Sequence, residues 1–142
     1  PDGDHRVPLG SADIKRAGTD LTVVTYGRTV RDALAAADLL AGEGIDVEVV
    51  DLRSLVPLDA DAVLSSVART GRAVVAHHAT RFAGFGAELA AMISEELFGQ
   101  LEAPVARVGA RFAPIGAAPS LEAAVLPSAA TIADAVRHVI GH

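Results

Sequence analysis

The sequence predicts an α/β domain of three layers, α/β/α, built on a mostly parallel sheet of four to five strands. Three observations predict it. Short runs rich in β-branched residues alternate four times with helical stripes along the 142 residues. The connections between them are short, and Gly, Pro, Asp or Ser marks most of the changes. Alternation of this kind produces βα units, whose crossovers put helices on both faces of parallel strands.

The opening "PDGDHRVPLGSA" is a polar entry segment or interdomain linker, so the chain divides into 1–11 and one domain over 12–142. "ADIKR" follows and predicts an added edge strand. "LTVVTY", Leu21 to Tyr26, is a buried strand ended by Gly27. Thr29 stands where an N-cap belongs, with Asp32 three residues on as its capping-box partner. Val30, Ala33, Leu34 and Ala37 then share one helix face, and Gly42 and Gly44 stop the helix. "DVEVVDL" (46–52) is the next strand. Pro57 and Asp59 introduce a helix carrying Val63, Leu64 and Val67, closed by Gly71. "AVVA" (73–76) is a third strand, followed by a loop and a helix from near Gly86 that bears Leu89, Met92, Ile93 and Leu97. "PVARV" (104–108) is a fourth. A Pro/Gly-rich stretch leads to Ser128, the predicted cap of a last helix with Ile132, Val136, Val139 and Ile140 inward.

Composition narrows the function. Half of the chain is apolar (51%) while aromatics are only 4%, so the core is aliphatic. The net charge of −6, a single lysine and scattered arginines lack the clustered basic footprint of a nucleic-acid binder. There is no cysteine, which excludes disulfides and thiolate chemistry and restricts any zinc to a His/carboxylate site. No apolar stretch has the length of a membrane span and no signal-peptide pattern opens the chain, so the expectation is a cytoplasmic protein. The first residue is Pro1 rather than Met, as in a processed form or a piece of something longer.

In open α/β sheets ligands bind at the carboxyl ends of the strands. The most informative stretch there is "VVAHHATRFAGFGAEL" (74–89), which offers His77, His78 and Arg81 as strand-end cleft candidates. A phosphate cradle would use Gly84, Gly86 and a helix N-terminus, but Leu89 stands where a third glycine of G-x-G-x-x-G belongs. Glu88 already complements the helix dipole. A metal site fits poorly, because adjacent histidines on a strand point to opposite faces. General acid–base work needs an orienting partner and a positioned substrate, neither of which the sequence supplies. Asp51 with Arg53 reads as an ion pair supporting a loop. The residues by themselves stop at an α/β domain with one imidazole packed or hydrogen-bonded at a strand end, and with no catalytic, cofactor-binding or metal residue assigned.

Longer stretches carry a resemblance. "RAGTDLTVVTYG", "AADLLAGEGIDVEVVDLRSLVPLDADAVLSSVARTGR", "GFGAELAAMISEELFGQLEAPVARV" and "LEAAVLPSAATIADAV" resemble the C-terminal domain of the beta subunit of 2-oxoacid dehydrogenase E1 components, a transketolase C-terminal-like domain. The resemblance runs from about Val7 to the end. It implies an enzyme that uses thiamine diphosphate and magnesium to decarboxylate pyruvate or branched-chain 2-oxoacids and pass the acyl group to lipoyl-E2. It also implies that this domain alone is inactive and binds neither cofactor, because an upstream pyrimidine-binding domain and the alpha subunit hold them. The implied partners are the E1 alpha subunit, a second beta subunit in an α2β2 assembly, and the peripheral subunit-binding domain of E2, docked at Glu102 and the C-terminal end at His142.

Two departures stand out. His78 occupies the position of the glutamate in the family's His-Glu-Ala, and Phe112-Ala113-Pro114-Ile115-Gly116 replaces an Asp-x-Pro-x-Pro turn. Two rivals remain at this stage. One is the same domain of transketolase or deoxyxylulose-phosphate synthase; the other is a free-standing flavodoxin-like small-molecule module.

Overall fold

The computed structural model describes residues 6–142, so the first part of the predicted entry segment, 1–5, lies outside the described residues. Five strands form one sheet: β1 (Asp13–Arg16), β2 (Leu21–Thr25), β3 (Val47–Asp51), β4 (Ala73–Thr80) and β5 (Ala106–Ala110). Their order is β1-β3-β2-β4-β5. β2, β3, β4 and β5 pair in parallel, and β1 is antiparallel to β3 at the edge, where "ADIKR" predicts it. The helices are α1 (Thr29–Ala41), α2 (Ala60–Thr70), α3 (Gly86–Glu96), α4 (Pro119–Val125) and α5 (Ala129–Ile140).

Alternation along the strands divides the core in two. Val23, Val47, Val49 and Val74 pack under α1 and α5 with Ala37, Leu40, Ile132 and Val136. Val24, Val75, Val63, Leu89 and Ile93 pack on the other face under α2 and α3. Neighbouring residues on a strand point to opposite faces, so two-sided burial requires the continuous apolar runs seen in the sequence. Three layers result.

Several local signals hold as read. Asp59 Oδ1 accepts from the Ala62 N–H at 3.2 Å, capping α2, while its Oδ2 accepts from the Ala12 N–H at 2.9 Å and ties the entry segment down. Gly71 closes α2 at a positive φ of 67°. Ser128 and Thr131 form a reciprocal capping box at α5.

Others differ. The expected Thr29 cap does not form: α1 begins on a turn at Gly27 and Arg28, and the Thr29 hydroxyl is buried without a partner. Packing of α1 on the sheet turns Thr29 inward, and Asp32 is drawn to a histidine instead. β4 continues four residues past Ala76, so both histidines lie in the strand rather than in a loop. β5 lies two residues further on than expected. The Pro/Gly-rich stretch contains the short helix α4, entered through Pro119, whose missing N–H costs nothing in a first turn.

The strand "VEVVD" hides an acid. Glu48, only 1% exposed, alternates to the α2 face. There it accepts hydrogen bonds from the Ser66 hydroxyl and the Arg69 guanidinium. Thr22 joins Ser66 at 2.8 Å and Thr70 at 2.9 Å, completing a buried polar network under α2. A carboxylate removed from water demands partners of this kind.

Candidate functional site

The chain leaves β2 to form β3 on one side and later returns to form β4 on the other. That reversal opens a crevice at the carboxyl ends of β2 and β4, the position where open α/β sheets bind ligands. A cavity of about 330 Å³ lies there, lined in part by Arg28, Asp32, His78, Glu122 and Ser128. His78 Nε2 stands 3.1 Å from Asp32 Oδ2, and Arg28 stands 3.9 Å from Glu122. The carboxylate read as half of a capping box therefore orients His78.

His77 goes the opposite way, as strand alternation requires. It is 1% exposed, and its ring stacks on Tyr26 with centroids 5.8 Å apart. The Ala79 carbonyl can only accept, so Nδ1 carries the proton and donates to it at 3.0 Å. The Gly86 N–H donates to Nε2 at 3.1 Å, which fixes the neutral imidazole in one tautomer. The glycines are explained by the same ring. A Cβ on Gly86 would fall well under 3.0 Å from Nε2, and one on Gly84 would meet the Thr80 carbonyl and the ring edge. "GFG" makes room for an imidazole, not for a phosphate.

Burial lowers the His77 pKa from its ordinary value of 6.5; the bond to Ala79 opposes the shift, and the charges of Arg107 and His78 add to it. A histidine whose folded pKa is depressed binds fewer protons folded than unfolded. Its contribution to stability is therefore complete above the unfolded pKa and is lost as pH falls from there towards the folded value. Denaturant midpoints should accordingly fall as the pH drops below about 6.5, where the unfolded histidine takes up its proton. His77→Gln should flatten that slope. Equal slopes in the two proteins would mean that His77 does not titrate with folding.

The remaining sequence candidates fall elsewhere. Asp51 and Arg53 do not form the expected ion pair. Asp51 accepts from the Arg53 backbone N–H at 3.1 Å, and the Arg53 guanidinium reaches Asp13 on β1. Glu102 lies at the opposite end of the sheet, its N–H bonded to the Gly71 carbonyl and its carboxylate 2.6 Å from Arg72. His142 contacts His138 edge-on with ring centroids 4.9 Å apart. Pro104 lines both the groove beside Glu102 and the cavity beside His142, so the two docking candidates flank one proline. Arg81 stands beside that second cavity with Arg107. The structure thus separates the five candidate residues: His78 at the crevice, His77 sealed beneath it, and Glu102, His142 and Arg81 around the start and edge of β5.

Sequence reasoning missed Asp32 as the partner of His78, and Arg107 and Arg111 as neighbours of Arg81. The i, i+4 spacing of the two arginines about β5 was the available signal.

A five-stranded order with one antiparallel edge and a switch-point crevice defines a class, and sequence comparison gives the same one. The chain belongs to the family "Transketolase, C-terminal domain", whose model matches residues 10–132. Among particular relatives, the 2-oxoisovalerate dehydrogenase subunit beta of Pseudomonas aeruginosa is 54% identical over 76% of this chain and 30% of its own. The pyruvate dehydrogenase E1 component subunit beta of Bacillus subtilis is 48% identical over 78% of this chain and 34% of its own. The acetoin:2,6-dichlorophenolindophenol oxidoreductase subunit beta of Cupriavidus necator is 44% identical over 96% of this chain and 40% of its own. Among solved structures, a split-gene transketolase in an inactive beta4 tetramer superposes with a TM-score of 0.80 at 29% identity, covering 96% of this chain and 44% of that one. The chain thus spans 30–40% of the length of these curated relatives.

The residues present do not fit a magnesium diphosphate. Among the described residues no three His, Asp or Glu side chains converge on one point, and the glycine loop after β4 is filled by His77.

Proposed function

We propose that this chain is the C-terminal domain of the beta subunit of a 2-oxoacid dehydrogenase E1 component, serving assembly and E2 docking rather than chemistry. The observation that carries it is the similarity of nearly the whole domain to beta subunits named for pyruvate and branched-chain substrates. In this reading thiamine diphosphate and magnesium are held by the upstream domain and an alpha subunit. Two beta subunits pair in an α2β2 enzyme within a cytoplasmic multienzyme complex. Glu102 then offers an exposed carboxylate, shared with Arg72, to basic groups of the E2 peripheral subunit-binding domain, with His142 on the other side of Pro104.

The test is reconstitution of the whole beta subunit with an E1 alpha subunit and thiamine diphosphate. Decarboxylation of pyruvate or of 3-methyl-2-oxobutanoate is the expected result; turnover of neither sinks the reading. The relative aligned over 96% of the chain is an acetoin oxidoreductase subunit, so turnover of acetoin alone would replace a 2-oxoacid with acetoin as substrate. Glu102→Lys in the same enzyme should weaken binding to E2 about tenfold or more by surface plasmon resonance. Unchanged affinity would remove Glu102 from the docking site.

A further inference from the structure

Arg16, Arg28, Arg53, Arg69, Arg72 and Arg137 each stand within 4.0 Å of a carboxylate. Among the described residues Arg31, Arg81, Arg107 and Arg111 have no such partner, and the last three lie together. They line one groove of about 430 Å³ with Phe82, Gly109 and Phe112. A second, also about 430 Å³, is lined by the same three arginines, the last turn of α4 and the residues after it. No Asp or Glu lines either groove. In a chain of net charge −6, that is a marked separation of charge.

The fold builds this cluster. β5 is the outermost strand of its side of the sheet. Gly109 has no side chain where a Cβ would stand 2.9 Å from the Arg81 backbone, so the end of β4 closes down on β5. The Arg107 guanidinium donates to the Arg81 carbonyl at 3.2 Å, holding it beside its like-charged neighbour. Bringing three cations together works against folding unless a counter-charge arrives.

Two aromatic rings flank the cations. Phe82 and Phe112 are 70% and 78% exposed and meet edge to face with centroids 5.4 Å apart. Exposed phenylalanines beside arginines have the composition of interface anchors.

We propose that the β5 edge, through Arg81, Arg107, Arg111, Phe82 and Phe112, is a docking surface for an acidic protein segment with apolar residues interleaved. The arginines pair the carboxylates and the aromatic pair covers the apolar side chains. This surface is opposite in sign to the one Glu102 would offer, and it does not rest on the 2-oxoacid dehydrogenase reading.

Fluorescence anisotropy of the full chain tests it with three labelled peptides of alternating Glu–Leu, Gln–Leu and Lys–Leu. The Glu–Leu peptide should bind about tenfold tighter than the Gln–Leu peptide, with added salt closing the gap. Arg107→Ala or Arg111→Ala should weaken it about tenfold. Arg31→Ala, which removes an exposed arginine of α1, should leave it unchanged, as should circular dichroism for every variant. Phe82→Ser with Phe112→Ser should weaken Glu–Leu and Gln–Leu binding alike. Equal binding of the Glu–Leu and Gln–Leu peptides, or equal losses in Arg31→Ala and Arg107→Ala, would overturn the proposal. Self-association abolished by Phe112→Ser would overturn it too, by assigning the face to a second copy of the chain.

Discussion

Gly86→Ala should destabilise the domain by about 3 kcal/mol or more, a large part of the 5–15 kcal/mol that holds a domain of this size. Two effects compete at this position. Alanine is the better helix former, which favours the variant by up to about 1 kcal/mol at the start of α3. Against that, the new methyl group would fall inside contact distance of His77 Nε2 and close to Val75 Cγ1. The ring cannot swing away, because it is 1% exposed, stacked on Tyr26 and bonded at both nitrogens. Relief therefore requires α3 to shift, losing the Gly86 N–H bond and loosening Leu89 and Ile93 in the core. Overpacking and a stranded buried donor together outweigh the propensity gain. Thermal melting should drop by about 10 °C. The double variant His77→Ala with Gly86→Ala should be less destabilised than the two single losses added, since removing the ring removes the clash. A cost under about 1 kcal/mol for Gly86→Ala, or strict additivity, would show that the imidazole is not what demands glycine.

Glu48→Ala comes next, with an expected cost of about 3 kcal/mol. The carboxylate is buried, so its own desolvation already weighs against the native state. What offsets that is a set of charge-assisted bonds from Ser66 and Arg69 that ties β3 to α2. Deleting the acid strips Ser66 of one partner and opens a void beneath the helix. The Arg69 side chain is 51% exposed, so it regains water, and the loss stays at the lower end for broken buried pairs. Glu48→Met keeps most of the volume and lifts the burden of burying charge, so it should cost less than half as much. Urea denaturation of the two variants and of Arg69→Met decides the matter. If Glu48→Met proves as damaging as Glu48→Ala, the electrostatic bonds outweigh packing; if neither costs more than about 0.5 kcal/mol, the network does not hold α2.

These two positions mark the boundary of what could be read in advance. α1, α2, α3 and α5 follow from apolar stripes at helical spacing and from Asp59 and Ser128 at their starts. β2 and β3 follow from β-branched runs too short for helices. Such signals are local, and they hold wherever packing agrees with them. Thr29 shows where it does not: the same residue reads as a cap by its neighbours, but the sheet beneath α1 buries it. β4 reads four residues short in the sequence because a histidine pair resembles a loop, whereas the fold encloses one imidazole. α4 was hidden in a stretch whose prolines and glycine read as turns.

The sequence by itself determined the class, the three layers, the inward faces of the helices and the resemblance to an E1 beta C-terminal domain. Periodicity and motif spacing are properties of neighbouring residues. Only the tertiary structure decided what each polar side chain is for. His77 bonds Gly86 nine residues on, Glu48 meets Arg69 across 21, and Arg107 reaches back 26 to Arg81. Those partners are chosen by which strands and helices lie side by side, and strand order and loop closure set that arrangement. A one-dimensional pattern tells which residues must be buried, while the folded sheet decides which charge they are buried beside and which are left facing out.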